Sequence, residues 1–390
     1  MRVLHQAGHN TVWNIKSYEE DNAGDGIIFS PVHYTVNNIE KVQKPTKQVS
    51  LFDPQFYIPD SQKNKLQTYE FFPEKLMNGF ETIDYQSIAH KSAKLCLEFQ
   101  LQQDFESIII PCRFYDDLLT DFIERQKAFT VEPFLNELSR IKHDKDIYIS
   151  LSLTAPMIID KRFRNNILNW ITSYQEIDGV YLQVDFGERS KQIQNYEKLY
   201  NFVEFVNELI EADLKVICGY MNTEGLLISA LDINAVTMGA YENTRMFSTD
   251  KFLVNDGIKT GPAPRIYLPN LLNWIRYDTA VEIKEDFPDL WSKVYIPTQY
   301  SEEVLATAQK PHFSQPKLYK HFFMLINQQY KELSSLNVAD KINRLSEKVT
   351  AAHELYTELE SRGVLFFDAN CKGDHLIIWN RILRNIRNSV

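Results

Sequence analysis

Val180-Tyr181-Leu182-Gln183-Val184-Asp185, then a helix-like pattern from Gln192 to Ala212, then Val216-Ile217-Cys218-Gly219: this stretch decides the fold. An apolar run ending in a polar residue, a helical segment and a second apolar run make one βα unit of a parallel sheet. Working outward, comparable runs are Ile27-Ile28-Phe29-Ser30, Val49-Ser50-Leu51-Phe52-Asp53, Ile108-Ile109-Ile110-Pro111 and Ile147-Tyr148-Ile149-Ser150-Leu151 on one side. On the other are Ala235-Val236-Thr237-Met238-Gly239 and Ile266-Tyr267-Leu268. Helix patterns over 87–104, 118–142, 162–175 and 224–231 fall between them. Eight such runs alternating with helices predict an α/β fold, the (β/α)8 TIM barrel, with its chemistry at the C-terminal ends of the strands.

The barrel is expected over residues 1–278, with an aromatic lid insertion at about 56–86 carrying Phe56, Tyr57, Tyr69, Phe71, Phe72, Phe80 and Tyr85. Residues 1 to about 25 are polar and read as a short strand or a flap across the barrel floor. Ile266–Leu268 is taken as the eighth strand, although Pro262, Pro264 and Pro269 crowd it. Residues 279–390 read as a mainly helical C-terminal extension. Its clearest helix runs from Asn337, an N-cap, to Gly363, a C′ stop. Ile342, Leu345, Val349, Ala352, Tyr356 and Leu359 recur there at alternating three and four residues, which fits a helix packed within the chain or a seam for self-association or a protein partner through 337–363. Val364-Leu365-Phe366-Phe367-Asp368 is read as an added strand, and Arg381, Arg384 and Arg387 mark a basic tail helix.

With 390 residues, 44% of them apolar, and 24 Phe and 20 Tyr, the chain can build a large core. A net charge of −10 argues against a surface that grips nucleic acid everywhere, and leaves room for a local basic groove. Residues 1–10 lack the apolar run of a signal peptide and no stretch approaches a membrane span, so a cytoplasmic protein without a membrane partner is expected. Cys96, Cys112, Cys218 and Cys371 are scattered and signal neither a disulfide framework nor a zinc site.

Asp53, which Pro54 follows, and Asp185 end their strands and are the candidate catalytic residues, as nucleophile or general acid/base. The alternatives are an Asx cap on the loop for Asp53 and a salt bridge for Asp185. Gln183 shares a face with Asp185 by period-two alternation, which suggests a polar barrel mouth. Gln55 and Tyr57 follow Asp53 and join the candidate substrate-binding set. Arg113 beside Cys112 would hold a phosphate or carboxylate, or neutralise an aspartate. Asn222 is a binding candidate; Glu224 is a candidate too, with Thr223 as N-cap making it equally a helix-start acid. Arg245, in the loop after Gly239, occupies a position where many barrels bind phosphate. His33 would serve as acid/base or hydrogen-bond donor. No His-rich metal motif, Walker loop or dinucleotide fingerprint occurs, so neither cofactor nor metal is called for, apart from an ion between Asp53 and Asp185.

On Asp53, Gln183, Asp185 and the Gly219 and Gly239 strand ends, the chain resembles the tRNA-guanine transglycosylase-like barrels over about residues 26–275. The resemblance implies that one aspartate attacks a ribose carbon while another recognises or protonates the base. The family's zinc-binding cysteine motif is absent here. The leading expectation is a barrel enzyme acting on a nucleobase, nucleotide or nucleic acid. The alternatives are a non-catalytic interaction protein with a helical docking arm and a phosphate-handling hydrolase or lyase.

Overall fold

A computed structural model of the chain describes residues 1–77, 85–188, 192–254 and 261–389. Eight parallel strands make one sheet: β1 (Arg2–Gln6), β2 (Gly26–Phe29), β3 (Leu51–Phe52), β4 (Ile108–Ile110), β5 (Ile147–Thr154), β6 (Gly179–Asp185), β7 (Lys215–Cys218) and β8 (Ala235–Gly239). Their spatial order, β3-β2-β1-β8-β7-β6-β5-β4, is that of a (β/α)8 barrel opened between β3 and β4. No ladder joins those two strands, but Glu106 N donates to Ser50 O (3.0 Å) below the gap and Phe114 N to Tyr57 O (3.0 Å) above it.

Two strand assignments change. The polar N-terminal stretch is β1, a central strand paired with both β2 and β8. Arg2-Val3-Leu4-His5-Gln6 has too few apolar residues to announce a strand, because His5 and Gln6 are both fully buried polar groups. Its partner in the change is Ile266–Leu268, which leaves the barrel: β9 (Arg265–Leu268) pairs antiparallel with β10 (Asn273–Arg276) in a separate two-stranded ribbon. The flanking prolines do what the sequence warned of, cutting the ladder short at both ends.

Period-two alternation sorts the barrel interior into layers. Leu4, Ile28, Leu51, Ile109, Tyr148, Tyr181, Ile217 and Ala235, one residue from each strand, form an apolar floor cluster. Two residues further along each strand direction the layer reads Gln6, Ser30, Asp53, Pro111, Ser150, Gln183, Gly219 and Thr237. Of these, Gln6, Ser30, Asp53, Ser150, Gln183 and Thr237 are polar and fully buried. The interior therefore turns from apolar to polar within one side-chain layer, at the C-terminal ends of the strands.

The segment from Phe56 is a packed cover rather than an open platform. Phe56, Tyr57, Tyr69, Phe71 and Phe72 are all buried, and rings of Phe52, Phe71 and Phe99 meet at 4.9–6.0 Å. Phe80, part of the predicted lid, lies outside the described residues. The helix Val338–Ser361 begins at Asn337, whose side chain accepts from Asp340 N (2.9 Å), and ends before Gly363 at φ +98°. Ile342, Leu345, Val349, Ala352, Tyr356 and Leu359 are all buried within the chain, much of that against the C-terminal helix Asp374–Ser389. Residues 364–368 form no strand. Among the described residues no helix is long and apolar enough to cross a membrane.

Candidate functional site

Asp53 follows the two-residue strand β3 and takes its place in the ladder by donating its N–H to Phe29 O (3.1 Å). Its carboxylate is fully buried. Tyr57 OH donates to Oδ2 (2.8 Å) and Gln55 N to Oδ1 (3.1 Å), so part of its reading as an Asx-type cap is correct. Those bonds do not compensate for burial, which pushes the carboxyl from 3.8 up to about 6.

Around it runs a continuous polar network. Tyr57 OH meets Ser150 Oγ (3.4 Å), Ser150 donates to Gln183 Oε1 (3.3 Å), and Ser152 donates to the same oxygen (2.6 Å). Gln183 in turn donates to Tyr181 O, and Tyr181 OH donates to Gln6 Oε1, each at 3.0 Å. Gln55 Nε2 donates to Tyr220 OH (3.2 Å). Both Gln55 and Tyr220 hold left-handed backbone, φ +57°, a conformation that non-glycine residues adopt only where the surroundings impose it. Gln6 Nε2 and Ser30 Oγ, in the same layer as Asp53, are buried without a hydrogen-bond partner.

Lys251 enters from the turn Thr249–Phe252, after β8. The residue keeps partial exposure, but its ammonium lies 3.5 Å from the centre of the Tyr220 ring and within 5.5 Å of those of Phe247 and Phe252. Burial pulls its pKa well below the usual lysine value, against the pull of the Asp53 carboxylate. Phe247 and Phe252 also pack edge-on against Tyr57, so this loop roofs the Asp53 layer.

The sequence candidates fall into three places. Asp53, Gln55, Tyr57 and Gln183 share the network above. Asn222, Glu224 and Arg245 gather next to it, where β7 and β8 end. Glu224 is buried, accepts from Asn222 N (3.2 Å), and is pushed up to about 7 by desolvation. It occupies the cap position of the turn Gly225–Ile228, because the Thr223 hydroxyl is bound to Gln192 rather than capping. Arg245 stacks over Trp274 at 4.0 Å.

Asp185, Arg113 and His33 lie around the rim. Asp185 accepts from Gly187 N (2.8 Å), and burial raises its pKa with help from Asp116 and Asp250. It stands two residues beyond Gln183, hence one layer above Asp53. Arg113 lies 5.3 Å over the Tyr115 ring. His33 is pushed down to about 3 by burial and by Lys251 and Lys65. The Cys112 thiol, 3.6 Å from Ser150 Oγ, is pushed up to about 11 and stays protonated at neutral pH.

Gln6, Ser150, Tyr220 and Lys251 belong to the site but did not stand out in the sequence. Gln6 was hidden with its strand, and Lys251 lies in a loop without periodicity. Ser150 could have been found, since it sits two residues past Tyr148 on an inward face. Among the described residues no group of three or more His, Cys, Asp or Glu side chains is placed to hold a metal ion.

Two glycines hold the β8 loop in place. A Cβ on Gly239 would run into Thr244, 2.5 Å from its carbonyl oxygen, and one on Gly8 would come 2.5 Å from Thr244 Cγ2. Because backbone cannot yield as a side-chain tip does, Gly239→Ala is expected to displace Thr244–Arg245 and cost about 1–3 kcal/mol of stability. Urea unfolding of the variant checks this; a midpoint equal to the parent's would mean the loop docks otherwise.

Comparison with protein families, with characterised proteins and with solved structures finds no match for the chain.

Proposed function

We propose that the chain is a barrel enzyme acting on a nucleobase, nucleotide or nucleic acid, with Asp53 as nucleophile or general acid/base. The observation that carries this reading is the Asp53 carboxyl, raised to about 6 and enclosed in a layer of amides and phenols directly above an apolar floor. A carboxyl tuned to that range is ionised at neutral pH yet able to take up a proton, as covalent and acid/base roles both require. The amides of Gln6, Gln55 and Gln183 offer donors and acceptors suited to a base edge, and Tyr57, Tyr220 and Phe247 offer faces and edges to a flat ring. In a glycosyl transfer the Asp53 carboxylate would attack the ribose carbon as the carbon–nitrogen bond breaks, the departing base taking a proton from the Asp185 carboxyl, which the incoming base or water would later restore. An incoming base or water would then release the ester.

The test is a thermal-shift screen of nucleobases, nucleosides, nucleotides, sugar phosphates and short RNA and DNA, with native mass spectrometry of the purified protein. A base or nucleotide is expected to raise the melting temperature by several degrees, and the rise is expected to vanish in Asp53→Asn. Asp185→Asn, run alongside, reports whether the rim carboxylate takes part. If none of these compounds binds the parent protein, the reading fails.

A further inference from the structure

Where β7 and β8 end, the structure gathers hydrogen-bond donors that lack acceptors. Arg245 is 5% exposed, and its Nε and Nη1 are buried without partners. Trp274, 4% exposed, supports the guanidinium with its ring while its own indole Nε1 is buried and unpartnered. Arg265 Nε has no hydrogen bond either; that guanidinium is held by Asp368 (2.6 Å) and Cys371 Sγ (3.0 Å), with Glu242 3.7 Å from Nε. All three residues line one cleft, beside Asn222, Gln192 and Asn273 and with the Glu242 carboxylate in its wall. The amide oxygen of Asn273 cannot serve them, because it already accepts from Gln192 Nε2 (2.7 Å) and Trp274 N (2.8 Å).

The charge balance points the same way. Arg265 has Asp368 and Glu242 as ion-pair partners, whereas no carboxylate lies within 4.0 Å of Arg245 among the described ion pairs; Glu242 and Glu224 act on it only from farther away. A buried guanidinium without a carboxylate in contact is costly, and four unmet N–H donors on the residues lining one cleft call for an acceptor of several lone pairs. Water offers two. An oxyanion offers more, and its charge-assisted bonds are stronger.

Size then limits what enters. The cleft, about 10 Å3, holds about one water-sized group, so it takes one oxygen at the end of a ligand and not a ring. A second cleft of the same size, about 10 Å3, is lined by Tyr220, Glu224, Phe247 and the same Arg245.

We propose that Arg245, Trp274 and Arg265 form a subsite for a phosphoryl oxyanion. That this is the substrate's own phosphate rests on the reading of the barrel mouth as a nucleotide site. The subsite itself does not.

The experiment is calorimetric titration of the full chain with inorganic phosphate, with nucleoside 5′-monophosphates and with the parent nucleosides, repeated in Arg245→Gln and Trp274→Phe. The second variant keeps a ring under the guanidinium and removes only the indole N–H, so it guards against a folding failure in the first. Phosphate and a monophosphate are expected to bind the parent protein. Arg245→Gln should weaken both at least about tenfold and Trp274→Phe about threefold or more, with nucleoside affinity unchanged in either. Phosphate affinity that is absent in the parent, or that stays at the parent's value in both variants, overturns the subsite. Nucleoside binding without phosphate binding sinks the subsite and spares the mouth reading. Arg245-dependent phosphate binding without any nucleoside or nucleotide binding does the reverse, and leaves a site for free phosphate.

Discussion

Asp53→Asn is expected to gain stability on the parent protein as the pH rises from 4 to 7, by up to about 3 kcal/mol. Asp53 has a folded pKa of about 6 against 3.8 for the free side chain, so between those values the folded state holds the proton that the unfolded state has released. Stability linked to this group is therefore present below about pH 4 and lost as the pH rises through 6, at about 1.4 kcal/mol for each pH unit that separates the folded and unfolded values. An asparagine carries no such titration, and its amide oxygen can still accept from Tyr57 OH. The measurement is urea unfolding of both proteins at several pH values; a stability difference that is flat with pH, or that favours the parent above pH 6, would refute the desolvated carboxyl. For the substrate that the ligand screen identifies, the same substitution is expected to lower turnover by about 10²–10⁴-fold. Stability gained where activity is lost is the pattern of a group retained for chemistry.

Leu345→Ala should cost about 2–5 kcal/mol, the range for emptying a leucine-sized space in a packed interior. Leu345 is fully buried in the helix Val338–Ser361, whose apolar seam lies against the chain's own elements. A seam that served a second molecule would respond differently. Truncation would then change the assembly state and leave the unfolding midpoint of the isolated chain nearly unmoved. Unfolding curves and native mass spectra of parent and variant, taken together, separate the two.

How much of this was legible in the sequence depends on which residues carried it. Seven of the eight apolar runs became barrel strands because a buried parallel strand must be apolar on both faces, and that leaves a plain signature. The misses have a common cause. β1 carries His5 and Gln6 into the interior, so its composition is that of a loop, and only pairing with β2 and β8 makes it a strand. Ile266–Leu268 has the composition of a barrel strand, and only its prolines and its pairing with Asn273–Arg276 remove it from the barrel. For the site, Asp53 and Gln183 could be named from strand ends. Lys251 could not, because a loop lysine has no sequence mark that distinguishes a solvated ammonium from one laid on Tyr220.

The sequence alone carried the class of fold, the expectation of a candidate site at the C-terminal strand ends, and the helical character of the last hundred or so residues. Each follows from local periodicity, which is a property of neighbours along the chain. Which eight strands make up the barrel sheet was settled by tertiary structure, as was the sharing of one buried layer by Asp53 and Gln183 while Asp185 stands above it. Tertiary structure alone set Lys251 over that layer and left Arg245 and Trp274 with donors unmet. Those are matters of burial and of partners far apart in sequence, and the free energy of a charge or a hydrogen bond depends on what surrounds it rather than on what precedes it.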